Sequence, residues 1–372
     1  MADVLVVGAG PVGLLVGSEL ARHGISTTLV EARSTAGTGT RAIGVHAPVL
    51  AALEASGITE RLIAGAVRVS RGEARSDGRL LGTVRFERLN TRFPFVATLP
   101  QSDTEAALSM GAPPPLRGER VVRVAPGARR VEVALESGEM LSAPLVIVAG
   151  GWPSRGLVYR APGAIAYRDR YVMADIPAPP NAAPDLATIH LDRNGVLESF
   201  PLPGGRRRFV AWAPSDSIRD AADRLRVALH ARGEHSAADA TTTATEFGVR
   251  RFTARRMRRD RLFVIGDAAH EVSPIGGQGM NLGLLDAATL APLLARWVHS
   301  GEAPESELLR WERDRILSAR RAARLAALNT SLGRPRGSLA NAVRRTAVRT
   351  ALTPPADRVL AWAYAMGLDR AA

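Results

Sequence analysis

Residues 262–294 read LFVIGDAAHEVSPIGGQGMNLGLLDAATLAPLL, and this stretch predicts a buried strand, a glycine-rich loop and an amphipathic helix in succession. Leu262 to Ile265 are four consecutive apolar residues, which is typical of a strand buried on both faces of a parallel sheet. From Met280 onward apolar residues recur at helical spacing, so we expect a helix to begin there, just after Gly279. Its unpaired N–H groups and positive dipole end would then face whatever occupies the loop.

The loop between this strand and this helix carries residues that suit a flat ring with attached hydroxyl groups. Asp267 can accept a hydrogen bond from a hydroxyl, and Pro274 stiffens the loop. Gly276, Gly277 and Gly279 allow bare backbone to approach the ring. The rest of such a ligand needs a second binding element in the chain.

The N-terminal residues have the order of a dinucleotide-binding unit. An apolar run at Val4 to Val7 leads into Gly8-Ala9-Gly10-Pro11-Val12-Gly13 and then into a helical pattern. The first glycine would make the tight turn, the second would let the backbone approach a pyrophosphate, and the third would pack helix on strand. Strand, turn and helix are therefore predicted in the order that a dinucleotide site requires.

An acidic residue stands at the end of the second predicted strand, which covers Thr27 to Val30. Glu31 follows Gly13 by 18 residues, close to the usual spacing of about 20 for an acid that binds ribose hydroxyls. Glycines that only build turns would leave Glu31 unexplained. We therefore interpret the N-terminal segment as a dinucleotide site.

Three motifs occur together in one order along the chain: Gly8–Gly13 with Glu31-Ala32-Arg33, then Arg41-Ala42-Ile43-Gly44, then Gly266-Asp267-Ala268-Ala269-His270 with the loop that follows. This combination resembles the single-component FAD-dependent monooxygenases of the para-hydroxybenzoate hydroxylase type, the class A flavoprotein aromatic hydroxylases. The motifs extend from residue 4 to about residue 294, so the resemblance covers most of the chain.

The resemblance implies an α/β fold with a Rossmann-like FAD-binding domain, interleaved with a mixed β-sheet substrate domain and followed by a C-terminal helical segment. We expect a discontinuous FAD-binding domain in residues 1–66, 98–158 and 247–300. The substrate domain would then cover residues 67–97 and 159–246, and residues 301–372 would form C-terminal helices that pack over the FAD-binding domain.

Local patterns predict further elements in these domains. A helix with an interruption or cap at Gly57 is expected over residues 48–62, and a hairpin is expected at Asp77-Gly78. Residues 117–135 predict two short strands that return the chain to the nucleotide sheet. The second sheet is expected to contain strands near residues 171–176, 187–191, 196–200 and 208–212.

The resemblance also assigns residues to the cofactor. Arg41 would lie at the FAD pyrophosphate and ribose, although a solvated loop arginine is the alternative. Gln101 would reach the ribityl chain, or else act as a helix-capping amide, and the backbone at Val121 would touch adenine. The complete expected set of cofactor-binding residues is Gly8, Gly10, Pro11, Val12, Gly13, Glu31, Arg33, Arg41, Gln101, Val121, Asp267, Pro274, Gly277, Gly279, Met280 and Asn281.

Few side chains are candidates for direct catalysis, and the catalytic residues stay unassigned. His46 could face the flavin or the substrate, but a residue that starts a helix is the simpler interpretation. Pro274 would border the reacting edge of the flavin. No paired carboxylates, nucleophile elbow or metal-ligand spacing stands out, and we expect no metal site.

In the mechanism implied by the resemblance, the cofactor carries out the redox and oxygen chemistry. NAD(P)H would reduce FAD, O2 would add at flavin C4a to give a hydroperoxide, and one oxygen atom would pass to an aromatic, polyketide or quinone-like small molecule. The N-terminus of the helix at Met280-Asn281 would stabilise negative charge on the flavin.

One family motif is altered in this chain. Relatives carry Asp-Gly where this sequence has Gly150-Gly151, followed by Trp152-Pro153. The missing carboxylate is credited in the family with handling both FAD and NAD(P)H. Direct reduction by NAD(P)H is therefore the step that this departure calls into question.

The composition of the 372 residues sets limits on the protein class. Zero cysteines exclude disulfides, thiolate metal sites and a cysteine-linked flavin. No apolar run reaches the length of about 18 residues that a membrane span needs. The first strand starts at Val4, which leaves no room for a basic and apolar signal region. We expect no transmembrane segment and, by default, a cytoplasmic protein.

The net charge of +13 comes entirely from arginine, because the chain has no lysine. A well-solvated basic surface is the simplest interpretation, and steering of phosphate-rich NADPH toward the site is the functional alternative. The arginine clusters at residues 206–208 and 255–259 are short and lack interleaved aromatic residues. This pattern disfavours nucleic-acid binding.

Two alternatives to oxygen insertion remain open on the same scaffold. The chain could act by hydride transfer as an FAD-dependent reductase or oxidase, or it could bind flavin without catalysis. A halogenase is disfavoured, because a lysine is thought to relay halogen in that group and this chain has none. The small and apolar residues of the expected pocket sheet favour a flat apolar substrate of secondary metabolism, such as an aromatic polyketide or a quinone precursor.

Overall fold

The computed structural model describes residues 2–37, 42–160, 163–214 and 220–370. The central strands of its first sheet, at residues 4–7, 145–148 and 262–264, are short apolar runs that are fully buried. Numbered in chain order, its strands are β1 (Val4–Val7), β2 (Thr27–Glu31), β8 (Leu116–Arg117), β12 (Leu145–Val148), β18 (Arg258–Arg259) and β19 (Leu262–Val264). They lie in the order β18-β19-β12-β1-β2-β8, and all neighbours are parallel except β18 and β19. The strands expected at residues 4, 27, 145 and 262 are confirmed and share one sheet.

The second sheet has eight strands and is mixed. Its members are β5 (Arg71–Ser76), β6 (Arg79–Arg85), β13 (Ile165–Pro177), β14 (Leu186–Asp192), β15 (Gly195–Leu202), β16 (Arg206–Ala213), β17 (Thr245–Thr253) and β20 (His270–Glu271). Their order is β20-β17-β13-β16-β15-β14-β5-β6, and β14 and β5 form the parallel pair. The hairpin at Asp77-Gly78 is confirmed. Both residues have positive φ (50° and 75°), as a two-residue type I′ turn requires.

Two three-stranded sheets complete the strand content. One contains β3 (Gly44–Val45), β4 (Val67–Val69) and β7 (Val96–Thr98), and the other contains β9 (Val121–Pro126), β10 (Val131–Leu135) and β11 (Met140–Ala143). The expected return of residues 117–135 to the nucleotide sheet is wrong except for β8. Since β10 alternates buried and exposed residues, it suits an antiparallel sheet with one solvated face.

Ten helices are found in the described residues. They are α1 (Pro11–Arg22), α2 (Ala47–Ala52), α3 (Ile58–Ala64), α4 (Gln101–Ser109), α5 (Ala221–His230), α6 (His235–Asp239), α7 (Gly279–Ser300), α8 (Glu305–Leu332), α9 (Ser338–Ala351) and α10 (Ala356–Tyr364). The helix expected over residues 48–62 is interrupted as predicted, because Gly57 adopts the left-handed conformation (φ 68°) between α2 and α3. Within these ranges no helix combines the length and the apolar character that crossing a membrane would take.

Two features of the structure bear on the expected domains. We expected the chain to re-enter the FAD-binding domain at residue 247, but residues 247–253 belong to β17, which pairs with β13 in the second sheet. Phe247 of this strand stacks on Tyr171, with ring centroids 5.7 Å apart. The C-terminal helices do not all cover the first sheet either. α8 packs on α7, whereas α9 and α10 contact β6 at the edge of the second sheet.

Candidate functional site

The glycine turn after β1 and the glycine loop after β19 meet at one edge of the first sheet. Both strands run parallel to β12, so their carboxyl ends lie on the same side. There α1 and α7 cross in close contact. A Cβ at Gly283 would lie 2.6 Å from Val12 Cγ2 and 2.9 Å from Gly266 Cα. The fold thus brings together the two motifs that are furthest apart in the sequence.

In the glycine turn, Gly8 and Gly13 are closely packed against backbone, whereas Gly10 has open space beside it. Gly8 has a φ of 105°, and a Cβ there would lie 2.6 Å from Gly150 Cα. A Cβ at Gly13 would lie 1.9 Å from the carbonyl oxygen of Gly8, whereas a Cβ at Gly10 would meet no atom within 4 Å. The first hydrogen bond of α1 runs from Leu14 N–H to Gly10 O. The earlier N–H groups of the helix therefore have no partner inside it, and they flank the open space.

Glu31 lies beside this turn with its carboxylate buried to 7% exposure. Its oxygens accept hydrogen bonds from Ala9 N–H at 2.8 Å, Arg33 N–H at 2.9 Å and Arg33 Nε at 3.0 Å. Burial opposes ionisation, but the hydrogen bonds from Arg33 and Ala9 outweigh it and hold the pKa of Glu31 below its ordinary value. The result is an ionised acceptor next to the open side of the turn. Arg33 itself is exposed.

Three predicted cofactor residues lie further along the chain. Gln101 is the first residue of α4. It accepts a hydrogen bond from Ala42 N–H at 3.4 Å and donates to Glu105 Oε1 at 2.9 Å, so it does not cap α4. Val121 begins β9 and is half-buried. Arg41 lies outside the described residues.

The loop before α7 turns sharply and presents backbone to the surface. Gly277 N–H donates to Pro274 O at 2.9 Å, and Gly276 and Gly277 have φ values of 101° and 68°. Pro274, Gly277 and Asp267 are exposed. The first hydrogen bond of α7 joins Leu282 N–H to Gln278 O, so the three preceding N–H groups have no partner within the helix.

Asn281 fastens this loop to the segment before α2. Its Oδ1 accepts from His46 N–H at 2.8 Å, and its Nδ2 donates to Gly44 O at 2.8 Å and Gly277 O at 3.1 Å. His46 starts α2, in agreement with the simpler interpretation. Burial lowers the pKa of His46 to about 4, so the imidazole is neutral near pH 7. Its Nδ1 has no hydrogen-bond partner in the described part of the chain.

A buried ionic network below the loop was not found by the sequence analysis. His270 Nε2 lies 2.6 Å from Asp286 Oδ2, which also accepts from Gly266 N–H at 3.0 Å. Arg315 of α8 donates to Asp286 Oδ1 at 2.7 Å and to Asp369 Oδ1 at 2.7 Å. The network joins the start of the loop, α7, α8 and the segment after α10. A single acid inside the apolar helical stretch GLLDAATL was the signal available in the sequence.

We expect the stability of the protein to fall at alkaline pH because of this network. Burial lowers the pKa of His270, but the charge of Asp286 and its hydrogen bond outweigh burial and raise that pKa above the ordinary 6.5. The stabilisation is then complete below 6.5 and is lost as the pH rises through the folded-state pKa. Denaturant unfolding near pH 6 and near pH 9 should show this loss in the wild type and a smaller one in His270→Gln. Equal losses in both proteins would contradict the assignment.

The altered motif at Gly150 lies against the glycine turn. A Cβ at Gly150 would lie 2.8 Å from Ser154 Cβ, so the family's aspartate does not fit without movement. Beyond it, Arg250 stacks over Trp152 with its Cζ 3.9 Å from the ring centroid. Buried Arg155 donates to Asp267 O at 2.7 Å and thereby supports the loop after β19. Packing against Ser154 accounts for glycine at position 150.

Comparison with known proteins agrees with this geometry. The family model described as FAD binding domain matches residues 1–116 and 192–326. The chain is 31% identical to 6-methylpretetramide 4-monooxygenase of Streptomyces rimosus, over 84% of this chain and 59% of that protein. It is 30% identical to rifampicin monooxygenase of Streptomyces venezuelae, over 83% of this chain and 67% of that protein. This chain thus spans less than two thirds of the first relative.

The fold is also that of a solved structure of similar length. The crystal structure of p-nitrophenol 4-monooxygenase from Pseudomonas putida superposes with a TM-score of 0.87 and 22% identity, covering 100% of this chain and 99% of that one. The matched family model identifies FAD as the cofactor. The chain therefore belongs to the family of FAD-binding proteins that contains the class A flavoprotein aromatic hydroxylases.

Proposed function

We propose that this chain is an FAD-dependent monooxygenase that inserts one oxygen atom from O2 into an aromatic, polyketide or quinone-like small molecule, with NAD(P)H as reductant. One observation carries the proposal: the glycine loop between β19 and α7, which meets the glycine turn at one edge of the first sheet, also borders the second sheet. Ile275 of this loop belongs to the same buried apolar cluster as Tyr171, Met173 and Val210. A ring held by the loop would therefore face an apolar surface from which water is excluded.

The residues of the glycine turn, together with Glu31, suit an FAD molecule bound in an extended conformation. The open space at Gly10 and the unpaired N–H groups of Val12 and Gly13 suit the pyrophosphate, and the ionised Glu31 suits a ribose hydroxyl. Arg33, Arg41, Gln101 and Val121 would complete the binding of the adenosine and ribityl parts. When bound, FAD supplies the redox and oxygen chemistry.

The ring system would lie along the loop before α7. The small residues at Gly277 and Gly279 admit it, with Pro274 at its border and Asp267 on the ribityl side. The free N–H groups of Met280 and Asn281 would stabilise negative charge on the reduced ring. His46 is neutral and hydrogen-bonded through its backbone, so we assign it to shaping the site and leave the catalytic residues open.

We further propose a domain division that follows the sheets. The FAD-binding domain would comprise residues 1–66, 98–158 and 254–300, with the boundary moved past β17. The substrate domain would comprise residues 67–97 and 159–253, and the C-terminal helices would bridge the two domains. This division keeps the strands of the eight-stranded sheet together, apart from the short β20.

Anaerobic stopped-flow absorbance tests the function directly. The FAD-loaded protein is mixed with NADH or NADPH, and then with buffer that contains O2 and candidate aromatic substrates. We expect the flavin to bleach and then reoxidise with formation of a product that contains one oxygen atom from 18O2. Reoxidation without oxygen incorporation would favour a hydride-transferring reductase or oxidase. A flavin that stays oxidised with both nicotinamides would contradict NAD(P)H as direct reductant.

A further inference from the structure

An apolar row across the second sheet is interrupted by one acid. Met173, Val210, Glu198, Ile189 and Ala74 lie side by side on β13, β16, β15, β14 and β5. Residues directly opposite one another on neighbouring strands project from the same face. Ile275 of the glycine loop and Val348 of α9 pack on this face. The carboxyl of Glu198 therefore points to the layer between the sheet and the loop.

Glu198 is buried without a partner in the protein. Its exposure is 5%, and no residue in the described ranges forms a hydrogen bond or an ion pair with its carboxyl group. Burial alone raises the pKa of Glu198 to about 8. Buried polar groups in folded proteins nearly always have a partner. The oxygens of Glu198 are not among the unpartnered side-chain atoms that are sealed from solvent, so a partner from outside the chain has access to them.

Another buried acid of the same sheet shows the contrast. Asp169 accepts hydrogen bonds from Arg334 Nε at 3.1 Å and from Trp212 Nε1 at 3.2 Å. It is held in place by two side chains of the protein. A carboxyl group that served packing alone at position 198 would be expected to have similar partners.

Two tyrosines border the same region. Tyr171 is fully buried, and its hydroxyl has no partner in the described ranges. Tyr364 of α10 donates to Asn329 Oδ1 at 2.8 Å, and a Cβ at Gly276 would lie 2.8 Å from Asn329 Nδ2. Burial and then the nearby charge of Glu198 raise the pKa of Tyr364 to about 12. The charge of Glu198 thus acts on Tyr364, and Tyr364 is hydrogen-bonded to Asn329, which lies beside Gly276 of the glycine loop.

We propose that Glu198 recognises a hydroxyl group of the substrate and shares one proton with it. This proposal rests on the function proposed above. When ionised, the carboxylate accepts a hydrogen bond from a phenolic or enolic O–H. If the proton moves, the O–H bond breaks, the proton passes to a carboxylate oxygen and the electron pair stays on the substrate oxygen. The substrate class is therefore a flat apolar molecule with one hydroxyl that faces the sheet.

The test compares ligands that differ only in the hydroxyl group. Dissociation constants for phenol and benzene, and for 2-naphthol and naphthalene, are measured from the perturbation of the flavin absorbance of the FAD-loaded full chain, because these hydroxyl groups stay protonated near neutral pH and have no internal hydrogen bond. We expect the hydroxylated member of at least one pair to bind the wild type about 10- to 100-fold more tightly. In Glu198→Leu this ratio should fall to about one. Glu246→Leu, at an exposed acid on β17, should keep the wild-type ratio.

Two further measurements separate recognition from packing. Glu198→Leu replaces an unpaired buried acid by an apolar side chain, so its melting temperature should rise while its selectivity is lost. Glu198→Gln should keep part of the preference, but the pH dependence of 2-naphthol binding near pH 8, where this ligand stays protonated, should disappear.

The proposal is overturned if the wild type does not prefer the hydroxylated member of either pair, or if Glu198→Leu keeps the preference. Flavin reduction and oxygen incorporation are measured separately on the same proteins. If they fail while the ligand preference depends on Glu198, the monooxygenase function is wrong and the recognition site stands. If they succeed while the preference is absent, only the role of Glu198 is wrong.

Discussion

Replacing Arg315 by leucine is expected to lower the free energy of unfolding by about 3–5 kcal/mol. The guanidinium is the shared cation of two buried carboxylates, Asp286 and Asp369, and lies 2.7 Å from an oxygen of each. It also donates to the carbonyl oxygen of Leu282 at 3.1 Å. Its loss leaves negative charge in a region that water cannot reach, so the penalty is that of breaking a buried ion pair.

Denaturant unfolding of the purified protein measures this effect. Arg320→Leu is the matched control, because Arg320 lies on the same helix but is exposed. We expect the control to change stability by less than about 0.5 kcal/mol. FAD content should fall in Arg315→Leu, because Asp286 also accepts the N–H of Gly266 at the start of the loop. Equal stability of the two variants would show that the network contributes nothing.

Replacing Gly13 by alanine is expected to abolish FAD binding at micromolar protein. The new Cβ would lie 1.9 Å from the carbonyl oxygen of Gly8, which is backbone and cannot rotate away. The helix α1 must then move off β1, which costs about 1–3 kcal/mol and opens the turn. Melting temperature and the FAD-to-protein ratio after gel filtration should fall together.

Alanine substitutions at two other glycines serve as comparisons for Gly13→Ala. A Cβ at Gly10 meets no atom within 4 Å, so Gly10→Ala should fold normally and lose FAD affinity alone, because the pyrophosphate is proposed to fill that space. A Cβ at Gly65, at the end of α3, also has free space, and Gly65→Ala should change neither property. Normal FAD affinity in Gly10→Ala would contradict our placement of the pyrophosphate.

The glycine elements could be predicted from the sequence because their chemistry is local. Gly8, Gly13, Gly276 and Gly277 occupy positions that a backbone turn or a close approach imposes on short segments. The same holds for Glu31, whose place is set by its distance from the turn. Periodicity likewise predicted the four strands that share the first sheet.

The remaining features depend on pairings that a local pattern does not contain. Arg315 and Asp369 meet Asp286 only after the chain has folded back, and nothing near Arg315 distinguishes it from its exposed neighbours on α8. Glu198 lies in the strand sequence Val196-Leu197-Glu198-Ser199-Phe200, in which no local signal distinguishes a buried acid from a solvated one. Residues 121–135 were assigned to the wrong sheet for the same reason, because strand periodicity does not specify the partner strand.

The register of the first sheet also governs when it can form during protein synthesis. β1 pairs with β12 through Val4 and Leu145, and β12 pairs with β19 through Val146 and Leu262. A ribosome must therefore synthesise the chain through residue 264 before β19 can join β12, and contacts so distant in sequence form slowly. Until then β12 lacks its neighbour β19 and exposes an unpaired edge. The glycine turn between β1 and α1 is therefore synthesised, together with its neighbour β2, long before the loop after β19 that lies opposite it.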